Sequence, residues 1–307
     1  METLTTNSGR ALNEVLHSHA EWLEGVVTAF RCILDGETLN CARLPDVNLR
    51  RAILRGTTLL DADLSGADLG EAIIDSADFE RAVLANVDFS GAQVTESQFP
   101  FTWMAGTFWS EAKLRNSNFR KANLQDGRFQ NAVIESCKFG GAVLQSASLH
   151  HARIATSDFS ECDFTKAQFQ RTQLQVCRFY AVKAAGANFS NSRFKGCDFA
   201  KAELSGVKFF QTDFGGSEFD RAILHDADLR ETQLKGANFG RAILTYARFR
   251  GADFFATDLR GADLTGAREL TSGQLTQART DESTILPDGS RGPYRRFSGA
   301  ERAVIAS

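Results

Sequence analysis

The stretch DADLSGADLGEAIIDSADF, residues 61–79, sets Leu64, Leu69, Ile74 and Phe79 five residues apart, with Ala62, Ala67, Ala72 and Ala77 each two positions earlier. An α-helix returns to one face about every 3.6 residues and a strand every second residue, so a sustained period of five fits neither element run straight. A chain that turns on a fixed schedule produces it.

Counting in fives from Leu39 to Leu264 gives 46 centres, of which 20 are Leu and 19 are Phe. The others are Ile74, Val94, Met104, Trp109, Ile134, Ile154 and Ala184, so only Ala184 lacks a large apolar side chain. The position two before the centre reads as a small-residue slot, as at Ala82, Ser97, Thr107, Cys137 and Val207. In extended backbone, residues two apart share a side, so centre and slot face inward together. The residue before the centre and the two after it then face out, which suits Asp63, Asn118, Arg128, Asp158 and Lys208.

The copies SGADL, GADLT, KANLQ and GANFG make this pattern resemble the pentapeptide repeat family, A-(D/N)-L-x-x, over roughly three quarters of the chain. The resemblance implies an all-β solenoid, a right-handed four-sided parallel β-helix, over 34–267. Residues such as Leu64, Leu69, Phe79, Phe159, Phe199 and Phe239 would fill its axis. With four pentapeptides to a coil, the centres predict about 11 to 12 coils and, at about 4.8 Å per coil, a rod of roughly 55 Å.

Composition is that of a soluble chain: 43% hydrophobic residues and a mean hydropathy of −0.24. No apolar run reaches membrane-spanning length and METLTTNSGR has no secretion-signal pattern, so a cytoplasmic location is expected. Of six cysteines, Cys32, Cys137, Cys162, Cys177 and Cys197 fall in the small slot and Cys41 does not. Stacked slots run parallel and do not converge as metal ligands must, so these read as buried small hydrophobes, with no metal or cofactor implied.

The net charge of −3 is informative only by side. The side of Leu44, Leu64 and Leu84 carries Asp46, Asp63, Asp126, Asp163, Glu203, Asp226 and Asp263 against Arg43, Lys166 and Lys183. The side of Phe79 and Phe159 balances, and the other two are weakly basic.

A stacked β-helix leaves open backbone and core at its ends, and both ends here read as covers. LNEVLHSHAEWLEGVVTAF spaces Leu12, Val15, Leu16, Trp22, Leu23, Val26 and Val27 as an amphipathic helix within an N-terminal cap, 1–33. His19 and Trp22 lie one turn apart on it, and H-x-x-W-L resembles the leader that precedes the repeats in other family members. After Ala267 the frame fails. Leu270, Leu275 and Ala278 suit a short helix in a C-terminal cap, 268–289, with Thr271 or Ser272 as its N-cap, and a mobile tail is expected from Ser290.

Inside the solenoid, SQFPFTWMAGTFWSEA (97–112) is the irregular stretch. Its outward positions hold Phe101, Trp103 and Phe108, and Pro100 is read as removing a ladder donor. Contiguous exposed aromatics mark a contact surface unless the capping helix, the tail or a bulge covers them. Catalytic constellations are missing: no phosphate loop, H-E-x-x-H or C-x-x-C occurs, and His17, His19, His150, His151 and His225 read as surface or cap residues. The expectation is therefore a non-enzymatic scaffold that binds a protein partner. The alternative implied by the family is a DNA mimic that protects a type II topoisomerase, gyrase or topoisomerase IV, through the acidic side. Neither direct nucleic-acid binding nor membrane association is expected. A homodimer through a terminal element is a further possibility implied by the family.

Overall fold

In the computed structural model, which describes residue 7 and residues 9–303, the period of five becomes a register of twenty. In a first unit, Met1–Ser148, four parallel ladders start at Ile33↔Ile53, Thr38↔Thr58, Arg43↔Asp63 and Asn48↔Asp68. In a second unit, Leu149–Ser307, the same four run through Arg153↔Gln173, Asp158↔Arg178, Asp163↔Lys183 and Gln168↔Asn188. On one side the pairing lengthens to three-residue strands. In the first unit these are β1 (Ile53–Arg55), β2 (Ile73–Asp75), β3 (Gln93–Thr95), β4 (Lys113–Arg115) and β5 (Val133–Glu135). In the second they are β6 (Arg153–Ala155), β7 (Gln173–Gln175) and β8 (Arg193–Lys195). Each unit is an all-parallel β-solenoid with few helices.

The backbone explains why the repeat has five positions. Around Leu64, the N–H of Asp63 donates to Ala42 O (2.9 Å), while those of Leu64 and Gly66 donate to Val83 O and Ala85 O (2.9 and 2.8 Å). The N–H of Ala67 closes the turn onto Leu64 O at 3.0 Å. One donor remains, on Ser65, and the Asp63 carboxylate accepts it at 3.0 Å. Buried or half-buried backbone donors must find partners, which is why Asp or Asn recurs before the centre. Pro100 occupies this fifth position, so it takes nothing from the ladder: the inter-coil bonds of Arg81 N to Pro100 O (3.1 Å) and Phe101 N to Arg120 O (3.0 Å) are intact. The sequence-based expectation for Pro100 is thereby corrected.

The register also dictates the core. Each centre sits over one twenty residues away, so aromatic rings stack at the coil spacing. Phe79, Phe99, Phe119 and Phe139 follow at 4.8 Å intervals in the first unit. In the second, Phe159, Phe179, Phe199, Phe219 and Phe239 lie 4.5–5.2 Å apart. Trp109 stands in a second column, stacked 4.1 Å from Phe89 and 5.9 Å from Phe129, and its indole N–H is satisfied there by Thr107 Oγ1 at 3.0 Å in the slot two residues before. One slot breaks the small-residue rule: Glu37, before Leu39, is buried and accepts from the Asn7 N–H.

Helix α1 spans Leu12–Leu23, shorter than the apolar spacing predicts. Gly25 at φ 87° ends it: its N–H returns to Trp22 O (3.0 Å) and that of Val26 to Glu21 O (3.0 Å), a Schellman closure that turns Val26 and Val27 to solvent. The helix is held by His19, which is fully buried. Nδ1 accepts the Cys32 N–H at 3.0 Å, so Nε2 carries the proton and donates to Arg50 O at 3.0 Å. The Cys32 bond needs the neutral ring. Burial, and secondarily Arg31, lowers the His19 pKa against the opposing pull of the Arg50 carbonyl.

At the other end, Thr271 N-caps α2 (Ser272–Leu275), with Gln274 completing a capping box. Leu275 is buried. Beyond it the register loosens: Asp258 pairs with Arg279 and Asp263 with Ile285, one and two residues longer than the usual step. Ile285 then pairs antiparallel with Arg291. The described residues after Ser290, where the sequence reading places a tail, bond back to the segment before them. Tyr294 N–H donates to Thr280 Oγ1 and its hydroxyl to Glu301, both at 2.9 Å, and Ala300 is buried. Residues 304–307 lie outside the described residues. No helix among the described residues is long and apolar enough to cross a membrane.

Replacing Thr107 by Val keeps its volume but strands the Trp109 N–H, and is expected to cost about 1–3 kcal/mol in urea unfolding. Adding Trp109→Phe, which has no N–H, should recover part of that loss; additive losses would disprove the bond's role. For His19 the folded pKa is lowered, so its contribution is complete above the unfolded value of about 6.5 and is lost as pH falls through the folded value. The stability advantage of wild type over His19→Gln should therefore shrink between pH 7.5 and 5, and a constant difference would show that His19 does not titrate with unfolding.

Candidate functional site

Residues 97–112 form a regular coil of the first unit. Gln98↔Asn118, Trp103↔Asn123 and Phe108↔Arg128 keep the parallel register, so the stretch is neither loop nor bulge. Its inward side chains Phe99, Met104 and Trp109 are fully buried. The outward ones divide. Phe101 and Trp103 remain 55% and 53% exposed, with half-exposed Val83 one coil below Trp103. Phe108 is half-buried beneath the Arg128 guanidinium, 4.8 Å from its ring centre. Within the first unit α1 leaves Phe101 and Trp103 uncovered, and the Lys121 ammonium lies 5.4 Å from the Phe101 ring centre.

Phe101 is also conformationally expensive. It occupies the corner two after a centre, where φ is positive: 55° at Asp61, 58° at Arg81, 58° at Phe101 and 57–72° where Gly stands, as at Gly56 and Gly66. A side chain in this left-handed region costs about 1–2 kcal/mol, least for Gly, Asn and Asp. An exposed aromatic there gains nothing from the core. Strain held at an exposed position is a pointer to use.

The acidic side reads differently. Asp63 and Asp263 each accept both the N–H and the hydroxyl of the residue two ahead (Ser65 at 3.0 and 2.6 Å, Thr265 at 2.9 and 2.6 Å), and Asp163 accepts the Thr165 N–H at 2.9 Å. The Ser65 bonds hold the Asp63 carboxyl below its usual pKa. Asp46, Asp126 and Asp226 stand at positive-φ corners (55°, 56° and 54°), which Asp tolerates. Six of the seven acids are thus set by backbone geometry. The seventh, Glu203, sits in the ladder Asp163↔Lys183↔Glu203, where a lysine separates the acids.

The remaining chemistry is quiet. Cys32, Cys137, Cys162, Cys177 and Cys197 are buried thiols, Cys41 is exposed, and burial pushes Cys32 and Cys137 up to about 12. Cys197 is raised by its neighbour Cys177, one coil below, and by burial. Among the described residues no group of three or more His, Cys, Asp or Glu converges as a metal site. His225 Nδ1 is bonded to Thr245 Oγ1 at 2.8 Å. Sequence inspection did not single out Val27, Val176 or Tyr246 as exposed apolar groups; the outward frame position of Val176 and Tyr246 was the available signal.

Sequence models of pentapeptide repeats match residues 32–70, 62–99, 95–131 and 232–268 (eight-copy model), 132–209 (repeat region) and 189–233 (nine-copy model). Among solved structures, HetL, a pentapeptide repeat protein involved in heterocyst differentiation regulation in the cyanobacterium Nostoc sp., is 28% identical. The match covers 80% of this chain and 92% of HetL at a TM-score of 0.30. Full-length QnrB1, a plasmid-mediated fluoroquinolone resistance protein, is 17% identical over 80% of this chain and 93% of its own, at a TM-score of 0.22. A thylakoid-lumen pentapeptide repeat protein of Arabidopsis thaliana is 25% identical over 39% and 68%, at 0.21. No curated protein matches the chain. The kinship rests on the repeat sequence and not on superposition.

Replacing Phe101 by Gly relieves the left-handed corner while removing only a surface ring contact. It should change unfolding stability by less than about 1 kcal/mol, against about 3–5 kcal/mol for Phe99→Ala in the core. A loss above 2 kcal/mol at Phe101 would make that ring a structural element.

Proposed function

Because this chain belongs to the pentapeptide repeat family, we propose that it is a non-enzymatic interaction module that docks a protein partner through the surface around Phe101 and Trp103. The observation that carries this reading is the exposed pair itself: one ring held in a left-handed corner where Gly would be cheaper, the other projecting beside it from a regular coil. Large, stiff aromatic side chains lose little entropy on docking and bury much area, the properties of interface hot spots. Lys121 and Arg128, stacked on Phe101 and Phe108, give the patch a basic rim that suits a partner surface carrying carboxylates. On this reading 34–267 is the working surface, about 11 to 12 coils long. The segments 1–33 and 268–289 close its ends, and the module acts in the cytoplasm.

Protection of a topoisomerase by DNA mimicry has less support. A duplex presents an unbroken run of phosphate charge. Here the acids answer to turns and corners, and Lys183 interrupts their row.

The test is site-specific crosslinking from a photoreactive residue at position 103, compared with position 160 in the second unit, followed by affinity capture with wild type and with Phe101→Ser/Trp103→Ser. A single partner crosslinked from 103, absent from 160 and retained at least tenfold less by the double variant, is the expected result. Equal retention by the double variant overturns the docking site, and retention of gyrase subunits by both proteins would favour the acidic side.

A further inference from the structure

Stacking makes charge a vertical problem, because each outward side chain lies about 4.8 Å from its counterpart twenty residues on. The chain usually solves it by setting an acid over a base: Arg81 on Asp61 (2.8 Å), Arg115 on Glu135 (3.0 Å), Arg51 on Glu71 (2.8 Å) and Arg178 on Asp198 (3.8 Å). One corner of the second unit departs from this rule. Along its positive-φ row stand His151, Arg171, Asn191 and Gln211; along the row two residues later stand Arg153, Gln173 and Arg193, paired in register.

Neither Arg153 nor Arg171 makes an ion pair among the described residues. Arg171 has a histidine on one side of its row and an amide on the other. Arg193 has one carboxylate, Asp213 at 3.4 Å, which also lines the groove between the rows. His151, Arg171, Gln173, Asn191, Arg193 and Gln211 line that groove together. His150, alongside, has its pKa lowered by burial first and then by His151 and Arg171, which places it in the same cationic field. Arg171 and Arg193 thus face one groove together with the side-chain amides of Gln173, Asn191, Gln211 and Gln233 and a single acid, Asp213, while Arg153 flanks it one coil from Gln173 in the same row.

We propose that this groove binds an oligophosphate, a short chain of phosphoryl groups either free or carried on a nucleoside. Guanidinium forks pair with phosphate oxygens through two parallel hydrogen bonds; Arg153 and Arg193 stand in one row two coils, about 10 Å, apart, and Arg171 stands in the neighbouring row on the coil between them. More than one phosphoryl group is needed to engage them together. Asn191 and Gln173 supply neutral N–H donors between the forks, whereas Gln211 Nε2 already donates to Glu231, the next residue of its row, at 2.7 Å. The site is independent of the docking surface around Phe101 and Trp103.

The experiment is titration of the full-length protein at low ionic strength with tripolyphosphate and with ATP, followed by the side-chain amide NMR signals of Gln173, Asn191 and Gln211. Saturable shifts are expected with at least one ligand; tighter binding of ATP would assign the nucleoside-borne source and equal or weaker binding the free chain. Arg153→Gln/Arg171→Gln should weaken binding about tenfold or more. Arg295→Gln/Arg296→Gln, which alters the C-terminal arginines, should leave it unchanged. Both pairs are surface positions, and an unaltered circular dichroism melt confirms that each variant is folded; Asn191→Ala/Gln211→Ala, with a smaller expected loss, replaces the first pair should it melt early. Absence of saturation, equal affinity for citrate, or loss of binding only in the C-terminal variant would overturn the site.

Discussion

The constraint on which the rest depends is that every coil must satisfy the backbone donors of its neighbours at a register of twenty. Four of five N–H groups in a pentapeptide such as 63–67 are met by carbonyls, three in adjacent coils and one within the turn. The fifth is met by the side chain two residues earlier. Once this holds, the inward positions are fixed at two per repeat, the corner must take positive φ, and ring is placed over ring at about the interstrand distance. A one-residue slip would reverse inward and outward positions at once, which is why the frame holds from Leu39 to Leu264.

The same constraint sorts the surface. An Asp before a centre is occupied by the turn, and an Asp at a corner relieves backbone strain, so acidic side chains at these positions carry little information about a partner. This demotes most of the acidic side. Residues that oppose the local requirement are more informative: an aromatic at the Phe101 corner, or arginines at 153 and 171 with no acid stacked on them. The informative surface of a repeat protein lies where its own rule is broken without benefit to the fold.

The inward half of the molecule was legible because it is periodic: each centre from Leu49 to Leu264 is buried, and the outward Phe residues 30, 101, 255 and 297 are exposed. What the pattern did not reveal had local causes. Gly25 ended α1 before Val26 and Val27, a capping effect that overrides apolar spacing. Pro100 was harmless because the unneeded donor could be identified only from the full backbone accounting. Glu37 entered a small slot in the first coil, where Asn7 reaches it. The anchoring of residues 290–303 depends on pairs such as Tyr294 with Glu301 and on an antiparallel return at Ile285. Neither has a period to detect. The candidate aromatic site was visible as outward residues in the frame, but its exposure and its left-handed corner were not.

The ends show how such a fold stops. A parallel ladder with an open edge is a template for further strands. At the C-terminal side the register first loosens, from twenty to twenty-one at Arg279 and twenty-two at Ile285, and the chain then reverses so that Arg291 pairs antiparallel with Ile285. A parallel newcomer in the twenty-residue register would find neither the spacing nor the polarity it needs. At the N-terminal side the device is a single ring: His19 takes the Cys32 N–H, which elsewhere in the frame bonds within its own turn, and donates to the Arg50 carbonyl, the kind of acceptor that elsewhere bonds the preceding coil (Arg51 N to Gly70 O), so that carbonyl is closed to an incoming strand. Closure therefore does not require a large apolar cap, and it leaves the side surfaces as the part of the molecule able to meet a partner.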